Sequence, residues 1–219
     1  MSVRAELDHL VVVAPTVAAG RAWVEGRLGV PLQAGGRHVR MGTHNALLGL
    51  GPSAYLEVIA VDPDLPDPGR PRWFALDQVR AGDAPRLGLW VARTTDLEGA
   101  VAAAPVPLGE ILPMTRDDLR WRITVPADGS VRFGGALPPM IQWDAGVHPA
   151  LRMEDRGCRL IELSATVPKT RPSLDEEPIG IALDRLGLLG AIALIPGPVG
   201  ILPRLSALIA TPHGEVELG

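Results

Sequence analysis

Two apolar runs, Leu7–Ala14 and Tyr55–Ala60, constrain the fold more than any other part of the chain. Each is apolar on both faces of an extended strand, the pattern of a strand covered on both sides. Each also carries one residue foreign to an apolar sheet: His9 in the first and Glu57 in the second. Glu57 shares a strand face with Tyr55 and Ile59, and a glutamate is almost never found in a sheet interior without a partner. The fold must therefore bring a cation or several donors to Glu57. For His9 two readings stand side by side: a histidine satisfied by a neighbouring backbone carbonyl, or one half of a shared site with Glu57.

Between these runs the pattern is helix, then two strands. Thr16 is placed to cap a helix that ends at Leu28, with Val17, Val24 and Leu28 on one face and Gly29 as its stop. A Gly35-Gly36 turn follows. Asn45–Leu50 and Ala54–Val61 then form a hairpin around Gly51-Pro52-Ser53. The order is β-α-β-β-β. A Pro-rich linker at 62–72 and a helical turn at Trp73–Val79 precede a second pass of the same order. In that pass Arg86–Val91 is a strand, and Thr94 or Thr95 caps a helix through Ala103. Strands at Glu110–Met114, Arg120–Val125 and Pro139–Trp143 complete it. A third pass has a strand at Arg159–Val167, a helix over Leu174–Leu186, and strands at Ala191–Ile195, Leu205–Thr211 and Glu215–Leu218. The chain thus reads as one α+β domain over 1–219, with βαβββ modules at 5–62 and 86–145 and a partial one at 158–219. The repeat rests on element order, because residue identity between copies is poor.

Composition removes several classes of function. A net charge of -4 gives no general attraction to nucleic acid or anionic lipid, and 4% aromatics leave few stacking platforms. Cys158 is the only cysteine, which suits a reducing compartment, and Met1–Glu6 lacks a signal-like apolar core. A cytoplasmic protein is the expectation. The uncharged stretch Leu186–Pro203 approaches the length of a membrane span, but Pro196, Pro198 and Pro203 would break a spanning helix. It is expected in a soluble core or a subunit contact of a homodimer. Neither a Gly-x-Ser-x-Gly elbow nor a phosphate-binding Gly-x-x-x-x-Gly-Lys loop is present.

Leu7-Asp8-His9-Leu10-Val11-Val12, Gly42-Thr43-His44-Asn45 and Tyr55-Leu56-Glu57-Val58-Ile59-Ala60 together resemble the glyoxalase-like branch of the vicinal oxygen chelate superfamily. The resemblance implies paired βαβββ modules curled into curved mixed sheets around a cleft. It implies metal ligands at His9 and Glu57, nominates His44 as a ligand or catalytic contact, and places Asn45 at the substrate. The pattern departs in the second module, where Gly88 stands at the histidine position and Gln142 nearest the glutamate position. That departure argues against lactoylglutathione lyase activity.

The resemblance implies a divalent-metal enzyme of lyase, isomerase or dioxygenase type acting on a small molecule with vicinal oxygens. The metal would be zinc, manganese, nickel or iron, held by His9, His44 and Glu57. Glu57 has a second reading as a proton-shuttling base, with His44 beside it. A rival from another class is a metal-free binding or sequestering protein of the same fold. His148, in a loop after the second module, and Trp143 are candidate substrate contacts. Trp143 also reads as core, and His44 as a loop residue. His38 and His213 read as residues of polar turns.

Overall fold

The computed structural model describes residues 4–144, 146, 148–171 and 177–219. The first pass comprises β1 (Ala5–Val13), α1 (Val17–Leu28), β2 (Gln33–His38), β3 (Thr43–Gly49) and β4 (Tyr55–Val61). Thr16 caps α1, its hydroxyl oxygen accepting from the Ala19 N–H at 3.1 Å, and Gly29 ends it at φ 69°. Gly20 allows α1 to lie close on β4: a Cβ there would fall 2.4 Å from Val58 Cγ1.

The second pass comprises β5 (Arg86–Thr94), α2 (Leu97–Ala103), β6 (Glu110–Arg116), β7 (Leu119–Val125) and β8 (Met140–Trp143). Its helix is capped by Asp96, which accepts from the Gly99 N–H, and not by Thr94 or Thr95. A carboxylate at the N-cap position is a better acceptor for the free N–H groups of the first turn than a hydroxyl further back.

Together the two passes form an eight-stranded sheet in the order β2-β3-β4-β1-β5-β8-β7-β6. In each half the first strand runs parallel to the fourth, and the halves join at the antiparallel β1–β5 pair. The sheet curls until its edges meet. Gly36 on β2 lies against Arg116 on β6, and Arg40 donates to the Pro113 carbonyl at 3.1 Å. Alternation along the strands separates two cores. Val11, Ile59, Val91, Ile123 and Ile141 line the inside, whereas Leu10, Val12, Val58 and Trp90 face outward. Trp90 is fully buried, its indole N–H donating to the Ala136 carbonyl at 2.9 Å.

The third pass covers the outer face. β9 (Arg159–Pro168), α3 (Pro178–Arg185), β10 (Ala193–Gly197), β11 (Arg204–Thr211) and β12 (Gly214–Leu218) keep the βαβββ order, but their sheet runs β10-β9-β11-β12. Here the first strand is parallel to the second, not the fourth. The third pass therefore repeats the elements without repeating the module's pairing. Leu163, Ala165, Leu205, Ala207 and Ile209 point into the outer core. The helix start expected at Leu174 lies outside the described residues. Within Leu186–Pro203, Leu186, Leu188 and Ile192 are buried, while Val199 and Leu202 are exposed. Among the described residues no helix is long and apolar enough to cross a membrane.

Gly20→Ala tests the helix–sheet approach. Alanine gains about 1 kcal/mol in helix propensity, but overpacking against Val58 costs ~1–3 kcal/mol. The variant should be less stable by urea denaturation. A more stable variant would mean that α1 lies further from β4 than described.

Candidate functional site

Inside the curled sheet, β1 and β4 run parallel with Val11 level with Glu57 and His9 level with Tyr55. His9 and Glu57 therefore share the inner face as diagonal neighbours, with His9 Nε2 3.6 Å from Glu57 Oε2. Both are buried. That gap is wider than a direct hydrogen bond. Each group is held from behind. Asn45 Nδ2 donates to Glu57 Oε1 at 2.5 Å, and Asn45 Oδ1 accepts from the Gly36 N–H at 2.8 Å. The glycines expected to form a turn instead interrupt the β2–β3 register as a bulge. A Cβ on Gly35 would lie 1.9 Å from Asn45 Oδ1, so the bulge makes room for this amide. Asn45, expected at the substrate, is thus engaged in fixing Glu57.

His9 is held by a residue that the pattern of strand residues did not single out. The β1–β5 register shifts between Leu7 and His9, leaving Asp8 unpaired as a bulge. The bulge turns two consecutive side chains toward the inside. Asp8 has no exposed surface. Its Oδ1 accepts from His9 Nδ1 at 2.7 Å, and its Oδ2 from Trp143 Nε1 at 2.8 Å and His148 Nε2 at 3.0 Å. His148 Nδ1 accepts from the Ala150 N–H at 3.3 Å, so its proton is on Nε2. Burial alone would raise the Asp8 pKa, but the bonds from His148 and His9 outweigh it and hold the carboxyl well below the usual carboxylate range. With Nδ1–H given to Asp8, His9 presents Nε2 to Glu57. Trp143 and His148, expected at the substrate, close on this carboxylate.

The rest of the inner surface is aromatic. Tyr55 stacks on His9 with ring centroids 4.5 Å apart. Burial, with Asp8 and Glu57 nearby, pushes the Tyr55 phenol well up, so it stays protonated. His38 is buried in this interior and not in a polar turn, with Nδ1 3.1 Å from Thr43 Oγ1 and its ring edge-on to Trp73 and Trp121. Burial, then the Arg116 charge, pushes His38 well below its usual pKa, so it is neutral. Asp8, His38 and Arg116 all escaped the sequence reading. An aspartate beside His9 in an apolar strand was the available signal for the first.

The proposed ligand set does not assemble. His44 alternates to the outer face of β3, its partly exposed ring 4.0 Å from Asp62. The second half supplies no replacement. The β1–β5 and β5–β8 registers place Val91 and Ile141 where His9 and Glu57 stand in the first half, not Gly88 and Gln142. Gln142 faces outward and accepts from the Leu97 N–H at 3.1 Å. Among the described residues no three His, Cys, Asp or Glu side chains converge as a metal shell. A catalytic first-row metal normally takes three protein ligands and keeps room for water. Two donors beside a cavity of about 20 Å³ do not fit that requirement.

That cavity is lined by His9, His38, Glu57, Arg116, Trp73 and Trp121, among others. It has room for one water-sized group. Trp143 lies on its wall and also on the wall of an open groove of about 1400 Å³, which His148, Arg93 and Arg120 line as well. Trp143 is therefore the partition between groove and buried pair.

Asp8→Asn tests the network. A depressed carboxylate pKa adds stability above its unfolded value near ~3.9, lost as pH falls toward the folded value. At pH 7 the variant should be less stable by about 3 kcal/mol. That difference should shrink as urea midpoints are followed below pH ~3.9. A difference that stays constant there would mean that Asp8 is not ionised in the fold.

A family model described as a glyoxalase-like domain matches residues 7–176. The comparison with curated proteins finds no match. Among solved structures, a hypothetical protein from Staphylococcus aureus is similar at TM-score 0.61 and 14% identity, over 90% of this chain and 87% of that one. Methylmalonyl-CoA epimerase from Mycobacterium tuberculosis is similar at TM-score 0.43 and 19% identity, over 64% of this chain and 88% of its own. The first likeness speaks for the fold alone, and the second is too loose to carry an argument. With a family match over most of its length and two βαβββ halves paired alike around one interior, the chain belongs to the glyoxalase-like domain family of the vicinal oxygen chelate superfamily.

Proposed function

We propose that the protein is a small-molecule enzyme of isomerase or lyase type, in which Glu57 moves a proton on a carbon next to a carbonyl group. One observation carries this reading. Glu57 is buried with one oxygen fixed by Asn45, while the other faces His9 Nε2 across 3.6 Å. A carboxylate, an imidazole and a third group that orients the imidazole make a preorganised acid–base array. Asp8 is that third group, at 2.7 Å from His9 Nδ1.

In this mechanism the body of the substrate lies in the groove and its reactive end passes Trp143. Glu57 Oε2 takes the proton from the carbon, leaving an enolate. A proton, traded with solvent through Glu57 or His9, is then delivered to that carbon or to its neighbour, so that an isomerisation needs no oxidant or reductant. His9 Nε2, facing the same oxygen, is the second proton carrier. Burial serves this chemistry by keeping bulk water away from the enolate. A substrate with vicinal oxygens suits the same site. The donor set does not favour a metal-dependent route, and no step here passes through a metal. A lone buried thiol, Cys158, suits the reducing cytoplasm.

The test is exchange of the acidic C–H of small 2-oxo acids, hydroxyketones and thioesters in D2O, followed by NMR with and without EDTA. The wild type should accelerate exchange of at least one class whether or not EDTA is present. Glu57→Gln, which keeps the shape, should lose at least 100-fold, or ~2.7 kcal/mol of barrier. Exchange that disappears in EDTA and returns with zinc, manganese, nickel or iron(II) would overturn the metal-free base. Exchange unaffected by Glu57→Gln would overturn its assignment as the base.

A further inference from the structure

The lining of the cavity that holds Glu57 carries a charge for which the mechanism has so far had no use. Arg116, at the end of β6, is only 8% exposed. It lines the same cavity as His9, His38 and Glu57. Among the described residues no carboxylate pairs with its guanidinium and no aromatic face covers it. Elsewhere buried or half-buried arginines are answered: Arg93 by Glu6 at 2.8 Å, Arg72 by Asp77 at 2.7 Å. Arginine cannot lose its proton to escape burial, so a nearly buried guanidinium without a carboxylate partner leaves a charge that an anion could answer. The neighbouring His38 does not help, since burial keeps it neutral.

A second, independent feature lies in the same lining. Trp73 is 3% exposed, and its indole N–H is buried without any hydrogen-bond partner. Its residue also lines this cavity. A buried donor left unmade costs ~1–3 kcal/mol. The lining of one cavity thus combines a cation without a carboxylate partner, an indole whose N–H is unpaired, and the base Glu57.

We propose that Arg116 and Trp73 form an anion-holding pole, and that the substrate presents a carboxylate to it while Glu57 and His9 work on the adjoining carbon. This rests on the proton-transfer reading of the site and names its substrate class. The planar fork of a guanidinium matches a planar carboxylate through two parallel hydrogen bonds, which a chloride or a neutral amide cannot offer. As it stands the cavity takes only one oxygen-sized group, so a carboxylate enters only where the Trp143 wall gives way, with the rest of the molecule in the groove. Once the proton has left, the same pole stabilises the negative charge that spreads over the enolate and carboxylate oxygens.

Binding can be read without any knowledge of the substrate. Sodium formate and sodium acetate are titrated at constant ionic strength while the Trp73 indole N–H is followed by 1H–15N NMR, its resonance identified with Trp73→Phe. Sodium chloride, sodium phosphate and acetamide are the comparisons. Formate and acetate should shift the Trp73 signal saturably, and acetamide and chloride should not. Arg116→Gln should weaken the binding at least tenfold. Arg116→Lys, which keeps the charge but not the fork, should weaken it less and provides the measurement if the glutamine variant does not fold. Glu57→Gln should bind as well as wild type or better, because it removes a negative charge from the cavity. The titration therefore reports on Arg116 whether or not Glu57 is the base. No saturable shift in the wild type, an equal shift in Arg116→Gln, or tighter binding of phosphate than of the carboxylates would each overturn the proposal.

Discussion

The Asp8 carboxylate ties together parts of the chain that are far apart in sequence. It accepts from His9 beside it, from Trp143 on β8 and from His148 in the loop beyond. A fully buried carboxylate is tolerated only when its lone pairs are filled, and here both oxygens are engaged by donors. The two halves of the curled sheet are thereby locked at their shared β1–β5 seam. Removing any donor leaves a buried charge short of a partner, and so the inner site and the stability of the seam are one property.

The two halves share a backbone plan but not a chemistry. Val91 and Ile141 stand in the second half where His9 and Glu57 stand in the first, so that the second half contributes apolar and aromatic side chains and Arg116 but no counterpart of the His–Glu pair. The asymmetry has a physical consequence. Apolar neighbours lower the local dielectric and exclude water, which strengthens every charge interaction on the opposite wall. Closure of the edges, with Gly36 against Arg116, adds to that exclusion. A metal with several coordinated waters and an open position belongs to a wetter cleft than this one.

Much of the architecture was legible in periodicity. The apolar runs, the Thr16 cap and Gly29 stop, and the alternating strand Arg120–Val125 are local signals with local causes, and they hold. The site was legible in part. His9 and Glu57 were visible because an ionisable residue in an apolar strand is anomalous. Asp8 was equally anomalous but was hidden by strict alternation, which assigns it to the other face; only a bulge turns it inward. His44 was nominated by the resemblance of Gly42-Thr43-His44-Asn45 to a family motif, but consecutive strand residues face opposite sides, and Asn45 takes the inner one. His38 looked like a turn residue because Gly35-Gly36 reads as a turn, whereas the glycines form a bulge within β2.

What the sequence alone determined is the order of strands and helices and the presence of buried ionisable groups, because both follow from short-range period and hydrophobicity. Tertiary structure decided which strand lies beside which. The third pass has the βαβββ order of the first two and pairs its strands differently, since hydrogen-bonding partners are chosen by packing over the whole domain. It also decided what meets in the interior. Arg116 and Trp73 line one cavity with Glu57 from strands and loops tens of residues away, and no local pattern encodes a meeting made by closing a curved sheet on itself.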